Sequence, residues 1–289
     1  FRAVGSSANC AGAMTVLNTI MANQLVTFKQ EVDAKIKKGV EKDEAIFHIL
    51  SDYISAAKKI LFEGNGYSEE WMKEAKKRGL SNITSTPEAL KVFTRKEVVK
   101  LFEQNNIMNA REQHARYEIQ LETYMKKIQI ESRMVGELAI GLIIPSAIKY
   151  QNILIENVNG LKEVASASSV SNAKVSLKKT VFSEGEYEEE GGKHSATNGA
   201  DINSLAGTQM ETIKEISRHI SAIKTNVYKM IEVRKKANSL EDVQDKATAY
   251  CEQVKPYFDE IRYHADKLEF VVEDELWALP KYREMLFTR

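Results

Sequence analysis

The feature that most limits the folds open to this chain is a helical pattern that continues for about sixty residues, over positions 108–165. At a rise of about 1.5 Å per residue such a helix is roughly 80 Å long, more than the width of a small domain. Its large apolar residues keep a mostly three- and four-residue spacing, which predicts a seam that faces a partner helix. They are Tyr117, Leu121, Tyr124, Ile128, Val135, Leu138 and Leu142. We expect Pro145 to kink or interrupt this helix, because an internal proline costs about 3 kcal/mol.

Two segments near the end of the chain repeat the same spacing. The first seam consists of Ile213, Ile216, Ile220, Ile223, Val227 and Met230. The second consists of Val243, Ala247, Tyr250, Val254, Tyr257, Ile261, His264, Leu268 and Val271. With the short stretch around Ser239 between them, they predict an antiparallel helical hairpin. Such a hairpin needs a third helix to bury enough apolar surface, and we expect the helix from Met108 to provide it.

The first hundred residues predict shorter helices around one long one. The long helix covers positions 11–38, with Ser6, Ser7 or Asn9 as its N-cap and Gly39 as its end. Its first half is apolar on most sides, through Met14, Val16, Leu17, Ile20, Met21 and Leu25. We expect that half to be buried against protein upstream of Phe1. Further helices are predicted over about 43–62, 68–78 and 87–93.

The chain begins with a pattern typical of the end of a strand, Phe1-Arg2-Ala3-Val4, followed by a Gly5-Ser6-Ser7 turn and a helix. It has neither an initiator methionine nor a secretory signal at its start. We therefore interpret the start as a cut through a larger protein. Arg2 precedes a turn that opens a helix, and both a guanidinium group and helix N-terminal amides favour anions. On position alone, a surface ion pair is the alternative role for Arg2.

Composition excludes several classes of function. The 41 basic and 41 acidic residues give no net charge, which argues against nucleic acid or an anionic membrane as a partner. The most apolar run, residues 138–148, is shorter than the roughly 20 residues that span a bilayer. Two cysteines are too few for a disulfide framework, and we expect a soluble, cytoplasmic protein. None of the five histidines has zinc-site spacing, so no catalytic or metal-binding residue is predicted.

Residues 166–204 differ in composition from the rest of the chain. Serine, glycine, asparagine and glutamate dominate, and an acidic run covers 184–190. This composition predicts a flexible insert, whose simplest interpretation is a solvated loop without activity.

Four stretches carry a resemblance to a known family. Phe1-Arg2, followed by residues 5–11 and an apolar helix, resembles the end of the catalytic domain of glutamine synthetases, which has a Glu-x-Arg strand and an Ala-Asn step into a helix. Residues 109–118, 254–264 and 276–283 are similar to the type III bacterial branch of that family, which has its own C-terminal helical extension. The resemblance covers most of the chain and is weakest over 166–204.

The resemblance implies a mainly α fold of long antiparallel helices in a bundle, preceded by the terminal strand and helices of an α/β catalytic domain. Residues 1–105 would end the catalytic domain, and 106–289 would form the type III helical domain with the insert at about 166–204. The implied reaction is ATP-dependent: glutamate is phosphorylated, and ammonia displaces the phosphate to give glutamine. ATP and two Mg or Mn ions belong to the parent enzyme, which the resemblance implies is a homo-oligomer, a dodecamer of two hexameric rings.

Arg2 is the one site residue that the resemblance carries over to this chain. It would grip glutamate or the transferring phosphoryl group. The glutamate of Glu-x-Arg, a metal ligand in the family, would fall just before Phe1, so no catalytic or metal-binding residue is assigned here. We therefore expect the 289-residue fragment to be inactive alone. The alternatives are a non-catalytic helical scaffold or oligomerisation module, based on the heptads, and a coiled-coil regulator.

Overall fold

The structure, a computed structural model, describes residues 9–179 and 200–286. Within these ranges it consists of helices and contains no strand, which confirms the predicted mainly α class. The helices are α1 (Ala11–Lys37), α2 (Lys42–Ala57), α3 (Glu69–Lys77), α4 (Thr86–Lys91), α5 (Lys96–Gln104), α6 (Ala110–Leu138), α7 (Ile144–Lys179), α8 (Ala200–Asn238), α9 (Val243–Ala249), α10 (Pro256–Val271) and α11 (Tyr282–Leu286). The strand predicted at Phe1–Val4 lies outside the described residues.

The chain forms two compact units. The first ends at Lys126 and also includes Glu241–Cys251, and the second contains Lys127–Leu240 and the residues from Glu252 onward. Helix α6 begins in the first unit and ends in the second. On the basis of the family resemblance, we expect a domain boundary near residue 105. That boundary stays a prediction.

In the first unit, α1 packs against α2. The core of this pair is Val32, Ala45 and Ile49, surrounded by Phe28, Val40, Ile46 and Tyr53. As predicted, α1 ends at a glycine: Gly39 has a φ of 89°, a left-handed conformation that glycine adopts without steric cost. Helix α5, which the sequence analysis did not identify, also packs against α1 and buries Phe102.

A hydrogen-bonded relay holds α9 in the same unit. The hydroxyl of Tyr117 on α6 donates to Oε1 of Gln244 at 2.6 Å, and Nε2 of Gln244 donates to the carbonyl of Pro87 at 3.3 Å. Burial, and then the negative charge of Asp242, raise the pKa of Tyr117. Tyr117 therefore remains a neutral hydrogen-bond donor across the physiological pH range.

In the second unit, the predicted hairpin of α8 and α10 packs together with α7. Ile216, Ile223, Val227 and Met230 are buried on the first predicted seam, and Val254, Ile261 and Leu268 on the second. Helix α7 runs antiparallel to α8, because Gln151 bonds to Ser217 whereas Asn157, further along α7, bonds to Gln209. The three-helix arrangement expected from the heptads is confirmed.

The seam of α6 differs from the prediction after Ile128. The buried positions continue through Ser132, Gly136 and Ala139, whereas Val135 and Leu138 are half-buried and Leu142 is exposed. The small residues let the helices approach closely: a Cβ atom on Gly136 would lie 3.5 Å from Cγ1 of Val227. The prediction considered only large apolar residues. After Ile128 it therefore placed the buried positions one residue too early in the sequence.

Pro145 does not interrupt the long helix. A π-helical turn, Ala139–Ile143, joins α6 directly to α7. A proline ring clashes with the carbonyl group four residues earlier, which here belongs to Gly141. In a π turn carbonyl groups bond five residues ahead, so the wider turn makes room for the ring. A second π-helical turn, Tyr250–Val254, precedes Pro256 in the same way.

The segment predicted as a flexible insert is helical at both ends, since α7 extends to Lys179 and α8 begins at Ala200. The intervening residues 180–199, with the acidic run, lie outside the described residues.

One helix of the described residues, Ala110–Val164, contains an 18-residue window of mean hydropathy 1.5. By length and composition alone it is apolar enough to cross a membrane. One such helix is weak support for a membrane span, because core helices of soluble proteins meet the same criterion. The expected absence of a membrane partner therefore stays a prediction.

Candidate functional site

The candidate site is a cavity at the start of α1, in the first unit. Arg2 lies outside the described residues, and Asn9 is the first residue after it that the structure describes. The side-chain oxygen of Asn9 accepts a hydrogen bond of 2.8 Å from the backbone N–H of Ala11. Of the three predicted N-cap candidates, Asn9 therefore bonds to the first turn of α1, although Cys10 is the residue at the cap position itself.

The cavity has a volume of about 710 Å³. The first turns of α1 form one wall, and Phe93, Phe102, Ile107 and Met108 contribute apolar surface. Gln113, Arg116 and Gln120 line it from α6, where spacings of three and four residues place them on one helix face. The N–H of Ala11 is bonded to Asn9, but the other backbone N–H groups at the start of a helix lack partners within the helix, so this wall favours an anion.

Gln113 is the most buried polar side chain of the cavity, with 1% of its surface exposed. Its Nε2 donates to the carbonyl of Phe93 at 2.9 Å, which fixes the orientation of the amide. Its Oε1 is buried and has no hydrogen-bond partner among the described residues. Leaving such an acceptor unsatisfied costs about 1–3 kcal/mol, which marks Gln113 as a position that packing alone does not explain.

The chemistry of the lining is that of a binding surface. Among the described residues of the lining, Arg116 is the single charged one, and none is a carboxylate or a histidine. The hydroxyl of Thr15 donates to the carbonyl of Ala11 at 2.9 Å. These described residues can therefore hold and orient an anionic group, but they supply no general acid or base.

Sequence reasoning did not assign Gln113 or Arg116 to a site. Both lie in the stretch 109–118 that carries the family resemblance, which was the available signal. A glutamine on a helix ordinarily faces solvent, and its burial against Phe93 depends on a contact across 20 residues of sequence. No spacing rule predicts such a contact.

The described residues hold no group of three or more histidine, cysteine, aspartate or glutamate side chains that could bind a metal ion. His264, which lies on the second predicted seam, bonds to His219. The last turns of two long helices carry positive charges that complement the helix dipole: Lys35 and Lys37 in α1, and Lys235 and Lys236 in α8.

Comparison with known proteins relates the chain to glutamine synthetases. Residues 45–162 match the model of the glutamine synthetase C-terminal domain. Over its whole length the chain is 46% identical to a glutamine synthetase of Bacteroides fragilis (strain YCH46) and 30% identical to the type-3 glutamine synthetase of Dictyostelium discoideum. A glutamine synthetase of Butyrivibrio fibrisolvens is 26% identical over 96% of the chain.

In each of these alignments the chain covers 35% of the relative. The chain thus spans about a third of the length of the curated relatives that it matches. The resemblance to type III glutamine synthetases that was expected from the sequence is confirmed.

Proposed function

We propose that this chain, related over its whole length to glutamine synthetases, is part of an ATP-dependent glutamate–ammonia ligase. The observation that carries the proposal is the 46% identity over all 289 residues. The parent enzyme would transfer a phosphoryl group from ATP to the side-chain carboxylate of glutamate, and ammonia would then displace the phosphate. The chain would contribute a substrate-binding arginine and the helical C-terminal extension.

Arg2 is the proposed substrate-binding residue. Its guanidinium would form a two-pronged, charge-assisted contact with glutamate or with the transferring phosphoryl group, and this contact strengthens as negative charge develops. The cavity supports the assignment, because its wall at α1 begins shortly after Arg2 in the sequence. The described residues of that cavity include Arg116 and the first turns of α1, and none of them is a carboxylate.

The family implies ATP and a divalent ion, Mg or Mn, in the parent enzyme. The described residues do not fit the metal, because they lack a cluster of carboxylate or histidine ligands. The contribution of the described residues is confined to binding and orienting an anionic group.

A cytoplasmic homo-oligomer, a dodecamer of two hexameric rings, is the proposed assembly. The exposed apolar residues on the first half of α1 support contact there with the rest of the parent enzyme, as expected from the sequence: Met21 is 61% exposed and Leu25 is 59% exposed. Met14, Leu17 and Ile20 on the same half of α1 are also exposed. Large apolar patches of this kind on a soluble protein mark surfaces that other protein covers.

Glutamine formation from ATP, glutamate and ammonia tests the proposal. We expect activity from the full translation product of the gene and none from the 289-residue chain alone. In the full product, Arg2→Ala should lower kcat/KM for glutamate about 10²- to 10³-fold. This is the usual effect of removing one hydrogen-bond donor that stabilises the negative charge developing in the transition state. Arg133→Ala, at an exposed position of α6, is the matched control.

Three results would each overturn a different part of this proposal. Glutamine formation by the 289-residue chain above a no-protein control contradicts the inactivity of the fragment. Full activity of Arg2→Ala contradicts the role of Arg2. A full translation product without ligase activity contradicts the proposed function itself.

A further inference from the structure

A second cavity, of about 520 Å³, lies in the second unit between the end of α6, helix α10 and the segment that follows α10. Its walls are mainly apolar and include Val135, Leu138, Phe258, Trp277, Leu279 and Pro280. Sites for small molecules typically have volumes of about 300–1,000 Å³ and apolar walls with a few polar groups. The cavity therefore has the size and lining of a site for an aromatic ring or a short alkyl group.

The charged groups at this cavity are mostly acidic. Four carboxylates, those of Glu131, Asp259, Asp266 and Glu269, accompany a single cation, Arg262. Nε of Arg262 donates to both oxygens of Asp266, at 3.3 and 3.4 Å, so this pair is neutral as a unit. The other three carboxylates form no ion pair with any residue that the structure describes.

Lys281, a cation in the segment that follows α10, is also paired. Lys281 follows the wall residue Pro280, and its ammonium group donates to the carboxylate of Asp274 and to the carbonyl of Glu269. Only 15% of the Lys281 side chain is exposed, so its charge is directed to these groups. The cavity thus combines apolar walls with three uncompensated negative charges.

We propose that this cavity binds a small organic cation with an apolar body, such as an aromatic or aliphatic amine. The apolar walls take up the body of the ligand, and the carboxylates of Glu131, Asp259 and Glu269 attract its ammonium group. Glu131 and Asp259 are exposed and Glu269 is half-buried, so their attraction for the ammonium group is that of charges near a protein surface. An anion of the same shape is repelled.

Three probes of nearly the same size separate charge from apolar contact: phenethylamine, 2-phenylethanol and phenylacetate. Trp277 reports on binding by its fluorescence, and Trp71→Phe removes the other of the two tryptophans. We expect saturable binding of phenethylamine, with the alcohol weaker and phenylacetate at least about tenfold weaker. Calorimetry on the unmodified chain checks that the Trp71→Phe change is neutral.

Variants of the carboxylates test which of them attract the ammonium group of the ligand. The double variant Asp259→Asn, Glu269→Gln should weaken the binding of phenethylamine about five- to tenfold and leave the binding of 2-phenylethanol unchanged. Glu260→Gln removes an exposed carboxylate from the same helix that does not line the cavity, and it should have no effect. Arg262→Gln should strengthen binding, because it frees the charge of Asp266.

Several outcomes would overturn the proposal. These are no saturable binding of phenethylamine up to about 10 mM, equal affinity for phenethylamine and phenylacetate, or an equal loss in Glu260→Gln. Occupation of the cavity by a second copy of the chain would also overturn the proposal. In that case, sedimentation equilibrium would show self-association that the double variant loses, and phenethylamine would bind more weakly as the protein concentration rises.

Discussion

The Nδ1 atoms of His219 and His264 lie 2.8 Å apart, so a hydrogen bond between two imidazole rings joins α8 to α10. One ring must donate and the other accept, and protonation of both rings breaks the bond. Glu215 faces the other side of His219, with its Oε1 3.7 Å from Nε2. Arg218 adds a positive charge nearby, and Tyr263 contacts His264 edge-on.

This pair predicts a stability that depends on pH. Burial, and then the charge of His264, lower the pKa of His219. Since the unfolded chain binds this proton more readily, the free energy of unfolding should fall as pH drops below about 6.5. Urea unfolding at about pH 7.5 and about pH 5.5 measures the difference, and His219→Gln should reduce it. An unchanged difference in the variant would contradict the prediction.

We expect small and large substitutions of Gly136 to have opposite effects on the stability of the chain. A Cβ atom there meets Val227 at 3.5 Å and Met230 at 3.8 Å, which are ordinary contact distances. Gly136→Ala should therefore stabilise the chain by about 0.5–1 kcal/mol through helix propensity. Gly136→Leu should destabilise it by about 1–3 kcal/mol through overpacking. Thermal unfolding of both variants is the measurement, and a stabilised leucine variant would show that the seam is not tightly packed.

We expect substitutions at two apolar positions of the hairpin seams to reduce stability by unequal amounts. Leu268 is fully buried, whereas Ile220 is only half-buried. Leu268→Ala should cost about 2–5 kcal/mol, and Ile220→Ala clearly less. Aspartate at either position should be worse than alanine, most of all at Leu268, where its charge would be buried. Denaturant unfolding tests the order, and equal losses at the two positions would contradict the seam assignment.

We expect substitution of Lys281 to destabilise the segment that follows α10. Its ammonium group donates to the carbonyl of Glu269 at 2.9 Å and to the carboxylate of Asp274, which fixes the segment after α10. Lys281→Met keeps the apolar stem and removes the donors, which should cost about 1–3 kcal/mol. Hydrogen exchange should become faster over residues 272–280 and not in α8. Unchanged exchange there would show that apolar packing alone holds the segment.

Patterns with a regular period could be predicted from the sequence. The hairpin seams were confirmed because residues such as Ile223 and Leu268 recur at heptad spacing and are buried as expected. The seam of α6 was predicted less well, because Ser132 and Gly136 are buried through close helix approach. A hydrophobicity pattern assigns such small residues no weight.

Features that depend on contacts distant in sequence could not be predicted. The burial of Gln113 depends on the carbonyl of Phe93, and the relay from Tyr117 depends on Gln244. Helix α5 was missed because it has nine residues and follows directly on another short helical turn. The role of Arg2 rests on resemblance and stays a prediction.

The π-helical turn before Pro145 has a consequence for comparing this chain with its relatives. Such a turn holds one residue more than an α-helical turn between the same two helical faces. A relative that lacks one residue within positions 139–143 could therefore keep the seams of both α6 and α7 in register. Alignments of this family should accept a single-residue gap at this point, whereas a gap elsewhere in either helix would rotate all later side chains by about 100°.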